Sequence, residues 1–332
     1  MLSGYKRGEK SGLRELEPKP LPPDWVRLAV RACGICGSEL LPPRHDRLEP
    51  FGHEIAGVVV ETGAAVTGLA IGREAVVESS SACGRCTNCR DARQELCVDL
   101  KGFWGQESLG FAETVDAPAL SVVPYEGLAP DIACLAEPLG VAIDLARLSS
   151  LEPRSNVLLI GPGPIGLMAA AIARRMGVRR LFLSARPSSE ARIAWLKDKV
   201  GVDGVFDPGQ TPLTPELFPC AIDRVMVTAP PRTLPDAMLV AAKGGVISYI
   251  GIEYGEGAVV GFDANLFHFK KLQLRGSHAA PALYTPLALQ YLRDGVVDGA
   301  SLISGRFPLT RLVEAMQAAR DKGTAIKVVV QP

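Results

Sequence analysis

The segment NVLLIGPGPIGLMAAAIARRMG, residues 156–177, joins an apolar run, a glycine-rich turn and an alanine-rich stretch. Gly161, Gly163 and Gly166 fit the pattern G-x-G-x-x-G. The first glycine allows a tight turn, the second lets a pyrophosphate approach the backbone, and the third lets a helix pack closely on a strand. Free N–H groups and the dipole at the start of the helix favour that anion. The segment therefore predicts a strand, a turn and a helix that bind a dinucleotide through Gly161, Gly163, Pro164, Ile165 and Gly166.

A lone glycine pattern also fits an ordinary strand-to-helix turn, but this one belongs to a series of short apolar runs that alternate with helical patterns. Such alternation predicts a doubly wound parallel sheet, so the expected fold class is α/β. The predicted strands are residues 156–160, 180–185, 204–206, 223–229, 245–251 and 271–276.

The residues on either side of this series have a different pattern. Short β-type runs interrupted by Gly and Pro, such as VRLAV and IAGVVVETG, predict an irregular, mostly β domain. After Gly276, residues 283–295 and 309–323 predict amphipathic helices, and AIKVVVQP predicts a closing strand. We expect a β-rich domain made of residues 1–140 and 277–332, with an α/β domain, residues 141–276, inserted into it.

Composition narrows the class of protein. A chain of 332 residues is long enough for two domains. Its 36 basic residues cancel its 36 acidic ones, which argues against nucleic acid as the main partner. No run approaches the roughly 18 apolar residues of a membrane span, and the first twenty residues lack the apolar core of an export signal. We therefore expect a cytoplasmic protein whose partner is a small molecule, not nucleic acid or a membrane.

Four of the eight cysteines lie in CGRCTNCRDARQELC, residues 83–97. The spacing C-x2-C-x2-C-x7-C fits disulfides, a redox pair or a metal site. Disulfides are rare in a reducing cytoplasm, which weakens the first alternative.

Two motifs earlier in the chain carry further metal-binding side chains. CGICGSEL, residues 33–40, contains Cys36, and FGHEIAGVVVETG, residues 51–63, contains His53 and Glu54. Glu137 follows in CLAEPLG. Cys, His and carboxylate ligands with one open position are typical of a catalytic zinc rather than a structural one.

Together these motifs resemble the zinc-dependent medium-chain dehydrogenases, the alcohol and polyol dehydrogenase superfamily. The resemblance covers almost the whole chain, from CGICGS and GHE through the four cysteines, EPLG and GPGPIG to AIKVVVQP. EPLG, in place of a cysteine at the same point, favours the sorbitol, threonine and sugar dehydrogenase branch. The resemblance implies a GroES-like catalytic domain, a Rossmann coenzyme domain and a homo-oligomer, either a dimer or a tetramer.

The resemblance also assigns the site residues and implies two zinc ions per chain. Ser38 matches the hydroxyl that takes the substrate's proton while the hydride goes to the nicotinamide. The residues matching the catalytic zinc site, whose two carboxylates bind the metal directly or through water, are Cys36, His53, Glu54 and Glu137. The residues matching the structural zinc, in a lobe at about residues 80–100, are Cys83, Cys86, Cys89 and Cys97. A redox role for these cysteines is disfavoured, since a C-x-x-C pair does not need two further cysteines.

The second strand of the α/β domain ends LFLSARP, without the acidic residue that binds the ribose of NAD. Ser184 and Arg186 stand there instead, and a guanidinium can form a bidentate pair with a 2′-phosphate. The sequence therefore predicts that NADP is preferred over NAD. The alternative is that Arg186 is only a solvated loop residue.

The chain departs from the family between Cys36 and His53, where it is several residues shorter than usual. Leu41 stands where many alcohol dehydrogenases have a relay histidine; His45 fits an exposed loop better than that role, and His278 falls near where relatives place residues beside the nicotinamide. We expect an NAD(P)-dependent zinc dehydrogenase that oxidises a secondary alcohol, a sugar or polyol. The alternatives are a threonine or simple alcohol dehydrogenase and, in another class, a non-catalytic zinc-stabilised nucleotide sensor.

Overall fold

A computed structural model describes residues 1–41 and 46–332. Its contacts divide the chain into two compact units. The first unit comprises Met1–Gly140, Ala279–Asp321 and Lys327–Pro332, and the second comprises Val141–His278 and Lys322–Ile326. In the described residues, no helix is both long and apolar enough to cross a membrane.

Strands and short helices make up most of the regular structure in the described residues. The strands are β1 (Leu2–Arg7), β2 (Lys10–Glu15), β3 (Trp25–Gly34), β4 (Leu48–Pro50), β5 (Glu54–Thr62), β6 (Glu74–Val77), β7 (Thr114–Pro118), β8 (Val122–Pro124), β9 (Asn156–Ile160), β10 (Arg180–Ser184), β11 (Gly204–Phe206), β12 (Ile222–Val227), β13 (Ala241–Tyr249), β14 (Gln273–Gly276), β15 (Ile303–Pro308) and β16 (Lys327–Gln331). The α-helices are α1 (Thr87–Arg90), α2 (Pro130–Ala133), α3 (Ala136–Leu148), α4 (Pro164–Arg175), α5 (Glu190–Trp195), α6 (Leu234–Val240), α7 (Ala264–Phe269), α8 (Thr285–Arg293), α9 (Gly299–Leu302) and α10 (Leu312–Arg320).

The first unit is built on a mostly antiparallel sheet with the strand order β15-β16-β3-β5-β6-β8, and β7 also pairs with β3. Along β3, Val26, Leu28 and Val30 are buried and alternate with more accessible residues, which is the pattern of a strand with one face on a core. The closing strand predicted from AIKVVVQP is β16, which pairs antiparallel with β3. A separate three-stranded sheet has the order β2-β1-β4.

The second unit contains a six-stranded parallel sheet with the order β11-β10-β9-β12-β13-β14. Counted along the chain, this is the order 3-2-1-4-5-6 of a Rossmann sheet, so the predicted α/β class is confirmed. Every residue of β9 is buried, as expected of the central strand. The switch in strand order lies between β9 and β12, and the glycine-rich turn follows β9 at that point.

Four of the six strands differ in their bounds from the prediction: β10 ends at Ser184 instead of 185, β14 begins at Gln273 instead of 271, and β12 and β13 differ at both ends. β12 is Ile222–Val227 instead of 223–229, and β13 begins at Ala241 instead of 245. The early start of β13 depends on a register shift, because Ile222 pairs with Ala241 and Arg224 pairs with Val246. Such a bulge accommodates a polar and glycine-containing stretch that has no apolar alternation. The apolar pattern alone therefore could not mark it as strand.

Candidate active site

Two strands of the first unit bring predicted catalytic residues to one end of the sheet. β3 and β5 pair so that Gly34 lies opposite Glu54. Cys36 follows the end of β3, and His53 immediately precedes β5, so this register places them side by side. Gly34 is needed here because a Cβ at that position would run into the Glu54 carboxylate. Gly52, with φ of +99°, makes the turn that precedes His53.

The ligand atoms of Cys36, His53 and Glu54 lie within 4.8 Å of one another. His53 Nδ1 lies 3.2 Å from a carboxylate oxygen of Glu39, which leaves Nε2 to face a metal. Burial alone would lower the pKa of His53, but the Cys36 thiolate and the Glu39 carboxylate beside it raise that pKa well above its usual value. An environment that stabilises a cation on this ring suits a metal cation beside it. The donor set therefore fits zinc.

Glu39 is a buried residue of the site that the sequence did not reveal. Its side chain is 7% exposed, and its carboxylate accepts hydrogen bonds from the N–H of Cys36 at 3.0 Å and of Gly52 at 2.9 Å. With the contact to His53, it joins the two segments that carry the metal donors. An acidic residue three positions after the candidate ligand cysteine, in the short helical turn Gly37–Leu40, was the available signal.

Lys327, at the start of β16, is the second residue that the sequence did not reveal. Its Nζ lies 2.5 Å from the Glu54 carboxylate and 3.0 Å from the carbonyl oxygen of Ile35, and its side chain is 2% exposed. Burial alone would lower the pKa of Lys327, but the Glu54 carboxylate and the nearby cysteines Cys36 and Cys134 together raise that pKa. Glu54, which is fully buried, thus has a cation beside it as well as the predicted metal.

Glu137 is half-buried in the first turn of α3 and lies outside the group of ligand atoms formed by Cys36, His53 and Glu54. Burial raises the pKa of Glu137 to about 7, His53 lowers it and Glu54 raises it, so all three groups share one electrostatic environment. Glu137 also lines a cavity of about 10 Å³, which is room for one water molecule. The effects of His53 and Glu54 on its pKa, and not the cavity, indicate that this carboxylate lies near the metal donors, where contact with a metal through water suits it.

The remaining predicted residues of this region differ in accessibility. Ser38 lies in the turn Gly37–Leu40, is half-buried, and its hydroxyl makes no hydrogen bond within the part of the chain that the structure describes. Leu41 follows this turn, whereas His45 lies outside the described residues. His278 belongs to the second unit and is exposed.

The four clustered cysteines surround a common point. Their Sγ atoms lie within 4.8 Å of one another, and no disulfide joins them. The Sγ atoms of Cys83 and Cys89 are 4.0 Å apart, as are those of Cys86 and Cys97, about twice the length of an S–S bond. The helical turn α1 carries Cys89 and begins just after Cys86, which brings these two thiols to the same side.

The backbone around these cysteines stabilises thiolates. The N–H groups of Arg85 and Cys86 lower the pKa of Cys83, and those of Val98 and Cys89 lower the pKa of Cys86 to about 6. Burial and the neighbouring thiols raise the pKa of Cys89 to about 12. Four thiols at this spacing can all ionise only with a cation between them, which fits a closed structural zinc site.

The glycine-rich turn after β9 has the geometry that dinucleotide binding requires. Gly161 has a φ of +101°, and a Cβ on Gly166 would press on the Gly161 carbonyl oxygen and lie 2.9 Å from Thr228 Oγ1. A Cβ on Gly163 would meet no heavy atom within 4 Å, so open space lies in front of it. Pro164 and Ile165 begin α4, whose free N–H groups face the same turn.

Comparison with known proteins places this geometry in a family. The profile described as "Alcohol dehydrogenase GroES-like domain" matches residues 22–127, and the one described as "Zinc-binding dehydrogenase" matches residues 164–291. A protein of Saccharopolyspora erythraea named L-threonine 3-dehydrogenase is 32% identical and aligned over 99% of this chain and 98% of its own length. The chain belongs to the zinc-containing alcohol dehydrogenase family. This alcohol dehydrogenase is therefore a zinc-dependent, NAD(P)-dependent enzyme acting on CH–OH groups, and the interpretation as a non-catalytic sensor is set aside.

Two other relatives of this alcohol dehydrogenase match along almost its full length. L-idonate 5-dehydrogenase of Vitis vinifera is 28% identical over 99% of this chain and 96% of its own. The crystal structure of a zinc-binding dehydrogenase from Sinorhizobium meliloti, bound to NADP, is 27% identical with a TM-score of 0.82, and covers 99% of this chain and 100% of its own.

The residues predicted to select the cofactor of this dehydrogenase lie at the end of β10. Ser184 is 2% exposed, and its buried hydroxyl has no hydrogen-bond partner among the described residues. Arg186 is exposed, and its guanidinium makes no ion pair or hydrogen bond within residues 1–41 and 46–332. An unengaged guanidinium at this turn is available to a ligand phosphate.

Proposed function

We propose that this enzyme oxidises a secondary hydroxyl of a sugar or polyol and prefers NADP over NAD. The observation that carries the proposal is the group of ligand atoms from Cys36, His53 and Glu54, within 4.8 Å of one another at one end of the first unit's sheet. Carboxylates of Glu54 and Glu137 in this region suit a substrate that offers several hydroxyl hydrogens. The similarity to a dehydrogenase named for idonate, a polyhydroxylated acid, supports the same substrate class.

The Cys36 thiolate, His53 Nε2 and the carboxylate of Glu54 would hold the catalytic metal, and Glu137 would contact it directly or through water. When bound there, zinc acts as a Lewis acid that lowers the pKa of the substrate hydroxyl. Glu39 fixes the ring of His53 through Nδ1. Lys327 holds the Glu54 carboxylate in place through the ion pair between them.

Ser38 Oγ takes the proton of the substrate hydroxyl. Its hydroxyl is not engaged by another described residue, and it follows Cys36 by two positions in the same short turn. Leu41 offers no group to receive the proton, so Ser38 passes it to water. The nicotinamide cofactor, when bound, would supply the acceptor for the substrate's hydride.

A substrate panel tests the proposed function. The zinc-loaded enzyme is assayed with sugars, polyols, threonine and primary alcohols, each with NAD and with NADP, by nicotinamide absorbance. We expect the highest kcat/KM with a sugar or polyol. A preference for ethanol or a longer primary alcohol would contradict the proposal.

L-Threonine is the second candidate substrate, because a relative named for it is 32% identical over nearly the whole chain. It also carries a secondary hydroxyl but is much smaller than a sugar. If kcat/KM is highest with threonine, this second candidate replaces the first while the metal site and the reaction type stay the same.

The cofactor preference is tested at Arg186. A contact between its guanidinium and a 2′-phosphate is a charge-assisted bond worth about 1.5–3 kcal/mol, or roughly ten- to a hundredfold in affinity. Arg186→Ala should weaken NADP binding by about that factor and leave NAD nearly unchanged, as measured by the Kd of each cofactor. Ser184→Asp should shift the preference toward NAD, because it restores an acid that repels the phosphate. Equal loss of both cofactors in Arg186→Ala would mean that the arginine has only a structural role.

A further inference from the structure

An exposed aromatic side chain lies beside the metal-binding histidine. Trp104 is 54% exposed, although tryptophan is usually among the more buried residues. The centroid of its ring is 5.8 Å from that of His53, and the two ring planes are inclined by 46°. A large apolar surface is therefore open to solvent within contact distance of a proposed metal ligand.

The indole of Trp104 is held in position by residues packed against one side of its ring. Its ring stacks on the ring of Phe103, which is fully buried, with centroids 5.3 Å apart and planes 27° apart. A Cβ on Gly102 would lie 3.3 Å from the indole Cδ1 and 2.5 Å from the Ser79 carbonyl oxygen, so glycine lets the indole and the backbone approach. Phe103 covers one side of the ring, His53 lies near another part of it, and 54% of the residue's surface stays exposed.

The exposed indole surface of Trp104 lies only a few ångströms from the polar groups around His53. Exposed aromatic area is unfavourable in water and is removed from water when a ligand covers it. Binding sites commonly combine an aromatic wall with a few polar groups that orient the ligand. Here the wall is Trp104, and the polar groups are the donors around His53.

We propose that Trp104 is a substrate-binding residue that stacks against the C–H face of a sugar or polyol whose hydroxyl reacts beside His53. A polyhydroxylated molecule offers both surfaces that this arrangement needs, C–H groups for the indole and hydroxyls for the metal and carboxylates. The inference rests on the proposed function and narrows it to substrates long enough to cover the ring while they react. Threonine and simple alcohols of two or three carbons are too small to do both.

The test compares Trp104→Ala, Trp104→Phe and Leu120→Ala in the zinc-loaded enzyme. Leu120 belongs to the first unit and is 53% exposed, so it is a matched control for truncating an exposed apolar side chain. KM and kcat are measured for the best sugar or polyol of the panel and for 2-propanol, with the zinc content of each variant. Trp104→Ala should raise KM for the polyol about tenfold and leave its kcat and the 2-propanol constants nearly unchanged. Trp104→Phe should retain most of the affinity, and Leu120→Ala should resemble the unmutated enzyme.

The contrary outcomes show whether the stacking hypothesis fails alone or together with the proposed function on which it rests. If the unmutated enzyme oxidises the polyol and Trp104→Ala leaves its KM unchanged, the stacking is wrong and the proposed function stands. If Trp104→Ala loses zinc, or kcat falls equally for the polyol and for 2-propanol, the indole only shields His53 and the stacking is wrong. If the unmutated enzyme oxidises no sugar or polyol, the proposed function fails, and the stacking fails with it.

Discussion

The carboxylate of Glu39 accepts hydrogen bonds from both segments that carry metal donors, through the N–H groups of Cys36 and Gly52, and it also contacts His53 Nδ1. A ligand histidine with its second nitrogen engaged has a fixed tautomer and orientation. Because Glu39 is 7% exposed, water cannot readily replace it in this role. Its removal should therefore affect the catalytic metal more than the fold.

Glu39→Gln should weaken zinc binding at the catalytic site by about ten- to a hundredfold, because the neutral amide keeps the shape but loses the charge. The measurement is zinc competition with a chelator of known affinity, together with kcat. Glu9→Gln, at an exposed acidic residue, is the matched control and should change neither. Unchanged zinc affinity in Glu39→Gln would contradict this role.

The buried pair of Lys327 and Glu54 should make a large difference to stability. Removing one partner leaves an uncompensated buried charge, so Lys327→Met should lower the free energy of unfolding by about 3–5 kcal/mol. Adding Glu54→Gln to Lys327→Met should restore most of the loss. Urea unfolding in a Cys36→Ser background, where no catalytic zinc compensates Glu54, measures both, with Lys10→Met as an exposed control. If the double variant is no more stable than Lys327→Met, the pairing does not explain the loss.

The direction of the Lys327 pKa shift also predicts a pH dependence. The pKa of Lys327 is raised in the folded protein above 10.5, its ordinary value. The folded state therefore holds this proton more tightly than the unfolded state does. The resulting stabilisation is fully present below pH 10.5 and is lost as the pH rises through the folded pKa. The difference in unfolding free energy between the unmutated protein and Lys327→Met should accordingly narrow only in that alkaline range.

At the scale of one element, two glycines in the turn between β9 and α4 have different roles: Gly166 allows close packing, and Gly163 leaves space for the cofactor. A Cβ on Gly166 would press on backbone, whereas a Cβ on Gly163 would enter open space. Gly166→Ala should lower the free energy of unfolding by about 1–3 kcal/mol through overpacking. Gly163→Ala should leave stability nearly unchanged and weaken NADP, because the methyl group occupies space that the pyrophosphate needs. Thermal unfolding and cofactor titration measure the two effects, and reversed effects would contradict this assignment.

At the scale of the whole molecule, the two groups of metal donors should have different consequences for the protein. The structural zinc contributes to folding, so Cys86→Ser should lose one zinc ion and lower the unfolding temperature. Cys36→Ser should lose the other zinc ion and activity while the fold persists. Metal analysis, thermal unfolding and the dehydrogenase assay distinguish the two. One zinc ion in the unmutated protein, with normal turnover in Cys36→Ser, would rule out the catalytic site.

Local patterns in the sequence determined much of the fold and part of the candidate sites of this protein. The apolar run of β9, the glycines after it and the spacing of Cys83, Cys86, Cys89 and Cys97 predicted a parallel α/β sheet, a dinucleotide turn and a group of thiols. The structure has the parallel sheet, a glycine turn between β9 and α4, and the group of thiols. These features were predictable because the residues that form them are neighbours along the chain, so the spacing itself carries the geometry.

Only the tertiary structure decided what surrounds the catalytic residues. Lys327 lies 273 residues from Glu54 and reaches it because β16 pairs with β3, which in turn pairs with β5. Trp104 contacts His53 across a loop, and the start of β13 depends on a bulge. A lysine before an apolar run has no neighbouring sequence pattern that indicates which residue it contacts. The same is true of a tryptophan in a glycine-rich loop. Such contacts are fixed by strand register between distant segments, and register is set by the packing of the whole sheet.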